Sequence, residues 1–505
     1  MRYTPAIAAS ATLVVAAALA GCVSPSAVDE TRSIRIGITS SNIQYQYDPV
    51  TAFIFALDTS GIYESLLALN PKTVEWEPCL ATSWVLSEDR RTLTVELRDD
   101  VEFVGGTPLT AESVAEFFTL LAGEEEAYFS IVAAEYEASF TAIGQSTLEV
   151  VTSTPMDPPS GLLDNLWGQP IADPASMGDR EISAESPRGT GPYLVDEVVP
   201  ETSVTLVRNP IYWDPARYPY DDVTILAFDD DVARLNALKS GQIDAAPLGL
   251  NLAAEAEEAG LETHLSAAGR FSALWIADRA GTIVPALADL RVRKAIALAF
   301  DRSTIRDSID YGYGLITSQP AVSTSAEYVP GGDDRYGYDL EEARRLMAEA
   351  GYADGFDVTI PLSSFLGIDE WAPLVEQSLS DIGIRATFDR FADAGPYFDA
   401  MMSGSYPIIL YSEEPTESIR VFYGPDAVFN HPRFDDPVIE ELWETVLSGS
   451  IEEAARARAE IGAYGLDQAW LAVFANKPYL WASRPGIAVE VTNSGYPQLL
   501  SFQNS

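Results

Sequence analysis

At 505 residues the chain is too long for one ordinary core, and a prior of about 150 residues per domain gives roughly three folded units. Hydrophobic residues make up 47% and aromatics 10%, including 9 Trp, 23 Tyr and 20 Phe, so there is apolar area for several cores and disorder is excluded. With 76 acidic against 31 basic side chains and a formal net charge of −45, the surface repels phosphate backbones, no Lys/Arg stripe offsets that field, and nucleic acid is excluded as a partner. The same field favours a positively charged or zwitterionic ligand, although solubility in salt explains the acidity equally well.

The chain opens with Arg2 and the free amine, an apolar stretch over residues 6–20 (AIAASATLVVAAALA) and a small-residue site. This is the layout of a secretory signal and is too short for a membrane span. Leu19, Ala20, Gly21 and Cys22 resemble the bacterial lipobox, in which the cysteine is acylated and becomes the first residue after cleavage. Residues 1–21 are therefore expected to be a signal peptide and 22–33 a tether, with Cys22 the lipidation site holding the protein on the outer face of the cell membrane. Only Cys79 remains, so there is no intramolecular disulfide framework. Lacking a histidine partner, it reads as a small buried hydrophobe rather than a catalytic thiol.

SIRIGITS alternates Ile34, Ile36 and Ile38 with strand periodicity, and TLTVELRDDVEFV repeats the pattern at Leu93, Val95 and Leu97, then Val101 and Phe103. Thr110 then caps a helix with Glu112 in its first turn and Val114, Phe117 and Phe118 on its apolar face. Asp289 caps a second helix with Val292, Ala295, Ile296 and Ala299 on one stripe. In YDLEEARRLMAEAGY, Asp339 and Glu342 form a capping-box-like pair and Glu341 precedes Arg345 by one turn. Leu346 and Met347 face inward and Gly351 stops the helix. FDVTIPL, APLVEQSLSDIG and IRATF continue as strand, helix and strand, which makes the second half α/β. No repeat and no long Pro/Gly/Ser linker appears, so the units share interfaces, as a hinged cleft requires.

Several segments together resemble the family 5 solute-binding proteins of ABC importers, the receptors for peptides, nickel and oligosaccharides. They are GIYESLLALN (61–70), CLATSWVLSEDRRTLTVELRDDVEFVGGTPLTAESV (79–114), PRGTGPYLVDEVVPETSVTLVRNPIYW (187–213), DLRVRKAIALAFDR and YDLEEARRLMAEAGY. GTGPY lacks the Gly-Lys-Ser/Thr ending of a phosphate cradle and reads as a tight turn; RNPIYW reads as buried aromatic area beside a fixed arginine. The resemblance implies an α/β, two-lobed fold of the type II periplasmic-binding-protein kind that closes on a hinged cleft. Lobe 1 would span 34–272 with an extra subdomain at 67–185, lobe 2 would span 273–478, and 479–505 would return to lobe 1. RFSALWIAD (270–278) resembles the first crossing between lobes and FANKPYLWASR (474–484) the return, with Asp278 where the family usually has Asn.

The resemblance also bears on LYSEEPTES (410–418). Peptide-binding members carry an aromatic, an acid three residues on, a second acid six residues on, and a proline; Tyr411, Glu414 and Glu417 keep that spacing, with changed residue types. An acid beside an aromatic face can hold a ligand ammonium by ion pairing and cation–π attraction; the alternative is a solvated acidic turn. The ligand contacts implied are Tyr45, Tyr47, Trp275, Tyr411, Glu414, Glu417 and Tyr423. The implied function is a monomeric importer receptor that captures a small peptide or peptide-like solute and delivers it to ABC permease subunits, with no cofactor, no metal and no catalysis. An oligosaccharide receptor of the same family is the alternative, and opines, nickel chelates or haem stay open. A surface hydrolase is disfavoured, because the chain has only His264 and His431 and neither a His-Glu-x-x-His nor a Gly-x-Ser-x-Gly motif. A sensor or chaperone that binds ligand without a permease is the third class.

Overall fold

Ile34, Ile36 and Ile38 are all buried along Ser33–Ile38, which sits inside an eight-stranded sheet. In the computed structural model that sheet runs, in spatial order, through Ile408–Glu413, Glu262–Ile276, Leu471–Ser483, Ala245–Leu248, Ser33–Ile38, Asp222–Ala227, Ser203–Arg208 and Tyr193–Val199. Ser33–Ile38 is parallel to both of its neighbours, and the other pairs are antiparallel. The structure describes residues 32–505 apart from 52–55, 71–75, 157–161, 179, 181–184, 324, 326, 365–367, 414–421, 425–426, 428–429, 431–433 and 496. Cys22, Glu414 and Glu417 lie outside the described residues.

Two large apolar cores flank this sheet. One gathers side chains from Ile34 to Ala245 and from Trp481 to Phe502, and the other gathers side chains from Phe271 to Ala475. A smaller cluster packs the helix Asp231–Ser240 against Leu480 and Ala482. The chain passes from the first core to the second along Glu262–Ile276 and comes back along Leu471–Ser483.

Within the first core, Ala81–Leu86, Thr92–Leu97, Thr147–Val151 and Ser139–Ile143 form an antiparallel four-stranded sheet. The helix Ala111–Ala122 packs on it with Phe117 and Phe118 buried. Thr110 Oγ1 accepts the Ser113 backbone N–H at 3.2 Å, the expected N-cap. In the second core, Phe356–Ser363 and Ile384–Phe391 are parallel and joined through the helix Ala372–Ser380, as the strand, helix, strand reading requires. Asp289 and Asp339 cap their helices, and Gly351 ends the second one in the left-handed region at φ 89°. One local expectation changes. Arg345 pairs with Glu342 and Glu349 instead of Glu341, because Glu342 and Glu349 flank its guanidinium one turn to either side. That engagement also removes the Glu342 carboxylate from the capping box, leaving only the Asp339 half.

The sequence blocks of the first lobe converge on one buried carboxylate. Glu64, 6% exposed, accepts from Thr190 Oγ1 at 2.8 Å, Tyr212 Oη at 2.9 Å, Trp213 Nε1 at 3.1 Å and the Cys79 thiol at 3.5 Å. Burial pushes its carboxyl above the usual range, against these four donors, which favour the carboxylate. Gly189 and Gly191 have no room for a side chain, because a Cβ there would stand 2.1 and 2.5 Å from the backbone oxygens of Ile62 and Gly61. Thus GTGPY and RNPIYW are bracing elements, and Cys79 is a buried thiol raised well above its ordinary pKa by burial beside Glu64. Arg98 completes the cluster, lying 3.8 Å over the Trp213 ring. Glu64→Ala strands several buried donors at once and should cost about 3–5 kcal/mol by urea unfolding. A loss under about 1 kcal/mol, the net worth of a single ordinary hydrogen bond, contradicts this assignment.

Candidate ligand-binding cleft

Where Ser33–Ile38 and Ala245–Leu248 end, a cavity of about 430 Å³ opens between the two cores. Ligands of open α/β sheets sit outside the carboxyl ends of such strands. One wall comes from the first lobe through Thr39, Arg234 and Gly249, and the other from the second lobe through Ile368, Glu370 and Trp371. Both crossing strands contribute as well, through Arg270 and Ser272 on one and Lys477 and Tyr479 on the other. The return strand borders this cavity continuously from Lys477 to Trp481, whereas Asn476 lines a separate cavity with His264, Asp333 and Glu490.

Arg234 makes the first-lobe wall rigid. Its guanidinium donates to Pro247 O at 2.9 Å and Thr39 Oγ1 at 3.2 Å and pairs with Asp231, whose other oxygen accepts the Gly249 N–H at 2.7 Å. Two strand-end loops are thereby tied to one helix. In the second lobe, Ser412 on Ile408–Glu413 meets Ser272 with their hydroxyls 2.7 Å apart. Trp371 is buried edge-on against Phe474 at 5.4 Å between ring centroids and borders the cavity from that side. Asp278 ends the first crossing as a loop cap, accepting from Thr282 Oγ1 at 2.8 Å and from the N–H groups of Thr282, Ile283 and Val284 at 2.7 Å each.

The lobes also meet away from the crossing strands. Arg90 is 1% exposed and donates to Val446 O at 2.9 Å and to Leu447 O, carbonyls in the last turn of Pro437–Ser448. A cation there answers the negative end of the helix dipole.

The candidate residues named from sequence are distributed as follows. Tyr47 is buried in the first core with its hydroxyl donating to Asp58 at 2.9 Å, and Tyr45 Oη lies 3.1 Å from Ser40 Oγ. Trp275 and Tyr411 come together around Phe422, at 5.9 and 6.2 Å between ring centroids, and Tyr423 packs on Trp470. Tyr411 Oη donates to Glu413 at 2.7 Å. None of these five aromatic residues is among those lining the 430 Å³ cavity. Sequence reasoning missed Arg234, Arg270, Trp371 and Lys477. The signal was available for Arg270 and Lys477, each a cation inside an otherwise apolar crossing segment.

The family is decided by comparison with known proteins. Residues 75–416 match the model described as bacterial extracellular solute-binding proteins, family 5 Middle. The chain belongs to this family. Among curated relatives it is 27% identical over 365 residues to protein XP55 of Streptomyces lividans, covering 70% of this chain and 65% of the relative. It is 24% identical over 401 residues to the oligopeptide-binding protein OppA of Mycobacterium tuberculosis, covering 73% and 66%. The chain thus spans 65% and 66% of the length of these two relatives. Among solved structures, HbpA2 from Haemophilus parasuis superposes with a TM-score of 0.79 at 19% identity, covering 94% of this chain and all of that one, which establishes the two-lobed fold. Among the described residues, no helix is long and apolar enough to cross a membrane.

Beside the cleft, Asp310 is 1% exposed, and burial raises its pKa to about 6, Lys477 pulling it down and Glu370 pushing it up. A folded pKa above the unfolded value near 3.9 means the group favours folding below about pH 4 and loses that contribution as pH rises through 6. Asp310→Asn should therefore be more stable than the parent at pH 8, by about 1–3 kcal/mol, with the gap closed at pH 4. Thermal melts at the two pH values check this, and equal differences at both contradict it.

Proposed function

We propose that this chain is the substrate-binding lipoprotein of an ABC importer, which captures a small peptide or peptide-like solute outside the membrane and delivers it to a permease. The observation that carries the proposal is the cavity of about 430 Å³ walled by both lobes and both crossing strands, within the range of about 300–1,000 Å³ typical of small-molecule sites. A site split between lobes couples binding to motion, because only the closed arrangement makes contacts from both sides. Membership of the solute-binding family and likeness to an oligopeptide-binding relative support a peptide as the cargo. Bordering aromatic rings at Trp371 and Tyr479 favour the second reading, an oligosaccharide stacked on them.

In this proposal Glu414 takes the ligand ammonium, Glu417 adds negative potential, and Tyr411, whose hydroxyl donates to Glu413, leads into the segment. Native mass spectrometry of the protein purified with its bound solute tests the function, and a peptide mass is expected. With that peptide, Glu414→Gln should weaken binding by about 2–5 kcal/mol in calorimetry, the cost of leaving a buried cation uncompensated. Glu413→Gln, at a position already engaged by Tyr411, should cost a few tenths of a kcal/mol, about that of a solvated rim charge. A bound sugar, or equal small effects at both positions, overturns the peptide reading.

The anchor belongs to the same proposal. Cys22→Ser should release the mature protein into the medium, whereas membrane retention without an acyl mass on the N-terminal peptide contradicts the lipoprotein assignment.

A further inference from the structure

The turn between Ala81–Leu86 and Thr92–Leu97 holds a residue that its backbone does not suit. Arg90 has φ 56°, in the left-handed region that glycine enters freely and that crowds the Cβ of most other residues. The turn is otherwise well made: the Arg90 N–H donates to Ser87 O at 2.9 Å, and Ser87 Oγ accepts the Thr92 N–H at 2.9 Å. Glycine would satisfy this backbone better than arginine does. Strained positions of this kind gather at clamps and switches, which directs attention to the side chain. From this turn in the first lobe, the Arg90 side chain crosses to the second.

The element that receives it fits the role. Pro437–Ser448 belongs to the second core through Ile439 and Val446, and its last turn carries no basic residue. The last carbonyls of a helix have no partner within it, and they form the negative end of its dipole. Here the cation comes from the opposite lobe, with Arg90 donating to Val446 O at 2.9 Å and to Leu447 O. Hydrogen bonds are lost by about 3.6 Å, so a rotation that parts the lobes at this point breaks both together. The contact accompanies the arrangement in which the cleft is walled from both lobes. The turn belongs to one lobe, so its strain is the same in the open and closed states and does not oppose the contact.

We infer that Arg90 is a latch between the lobes, which stabilises the closed molecule through the end of Pro437–Ser448 and away from the cleft. The inference goes beyond the importer-receptor reading and rests only on the two-lobed fold, so it stands apart from the identity of the solute. A contact made only in the closed state adds to that side of the open–closed equilibrium in the free protein and in the loaded one alike. It therefore raises affinity for every solute by the same factor and selects none of them. Discrimination is left to the cleft, and the latch sets how far the resting equilibrium leans toward closure.

The test needs no solute. Full-length protein carrying Cys22→Ser is stripped of bound molecules by dialysis against guanidinium hydrochloride and returned to buffer. Nitroxide labels are placed at Val85→Cys and Glu441→Cys, exposed positions in the elements on either side of the contact, while Cys79 is buried and stays unlabelled. Dipolar electron spin resonance then reads the ratio of short to long interlobe distances. Arg90→Gly keeps the turn, because glycine suits φ 56°, and removes the latch. That variant should lower the ratio by about 5- to 30-fold, the scale of one or two hydrogen bonds from a charged donor with water as competitor, and should show the circular dichroism of the parent. Arg90→Lys, which keeps the charge and loses the guanidinium fork, should fall between the two. A parent with long distances alone, or an Arg90→Gly distribution equal to that of the parent, overturns the latch and leaves the receptor reading standing. If Arg90→Gly does not fold, Arg90→Asn takes its place under the same readings, since asparagine also tolerates the left-handed region. Failure of both to fold makes Arg90 a folding residue of its own lobe and overturns the latch.

Discussion

Glu262–Ile276 and Leu471–Ser483 pair antiparallel between the two cores, and every other feature of the cleft depends on that ladder. It is a connection that resists sliding, because each displacement by one residue would turn buried side chains outward and cleft residues inward. Bending is easier. The register shifts between Leu265 and Gly269 and again between Ser272 and Ala273, and irregular pairing of this kind bends and twists a strand locally. Gly269 is fixed by the approach of the return strand, and its role is proximity, since its backbone has no need of the left-handed region. The connection therefore couples precise register to a capacity for lobe rotation, the combination a closing receptor uses.

From that ladder the structure divides its labour. In the first lobe, Glu64 collects donors from distant parts of the chain, so the blocks that mark the family in sequence act as bracing and stand away from the ligand. Arg90 and the end of Pro437–Ser448 give the lobes a second contact, built on polar groups that water can also satisfy. A contact of that kind suits a surface that separates and rejoins. Arg234 and Asp231 hold the strand-end loops in place, so motion of the lobes need not distort the wall that meets the solute.

Much of this was legible in the sequence because it depends on local rules. Alternation at Ile34, Ile36 and Ile38, the caps at Thr110, Asp289 and Asp339, and the stop at Gly351 each follow from spacing and one residue type. The Arg345 pairing was misassigned because two glutamates compete for one guanidinium and the i+4 count alone does not rank them. Glu64 was invisible for a different reason. Its four donors come from Cys79, Thr190, Tyr212 and Trp213, and nothing in a linear reading says that they converge. The cleft cations Arg234, Arg270 and Lys477 were obscured by the composition itself, since a net charge of −45 draws attention to the acids. Whole-chain charge describes the distant field, and a binding site is governed by the few groups inside a screening length.

The central claim is that this two-lobed molecule closes about its crossing strands on a solute held between the lobes. Small-angle scattering of the protein stripped of ligand and then saturated with the solute recovered from it tests that claim most directly. A smaller radius of gyration in the saturated state, with secondary structure unchanged by circular dichroism, is the predicted result. An unchanged radius at full occupancy would contradict it, leaving a rigid binding site in place of a hinged one.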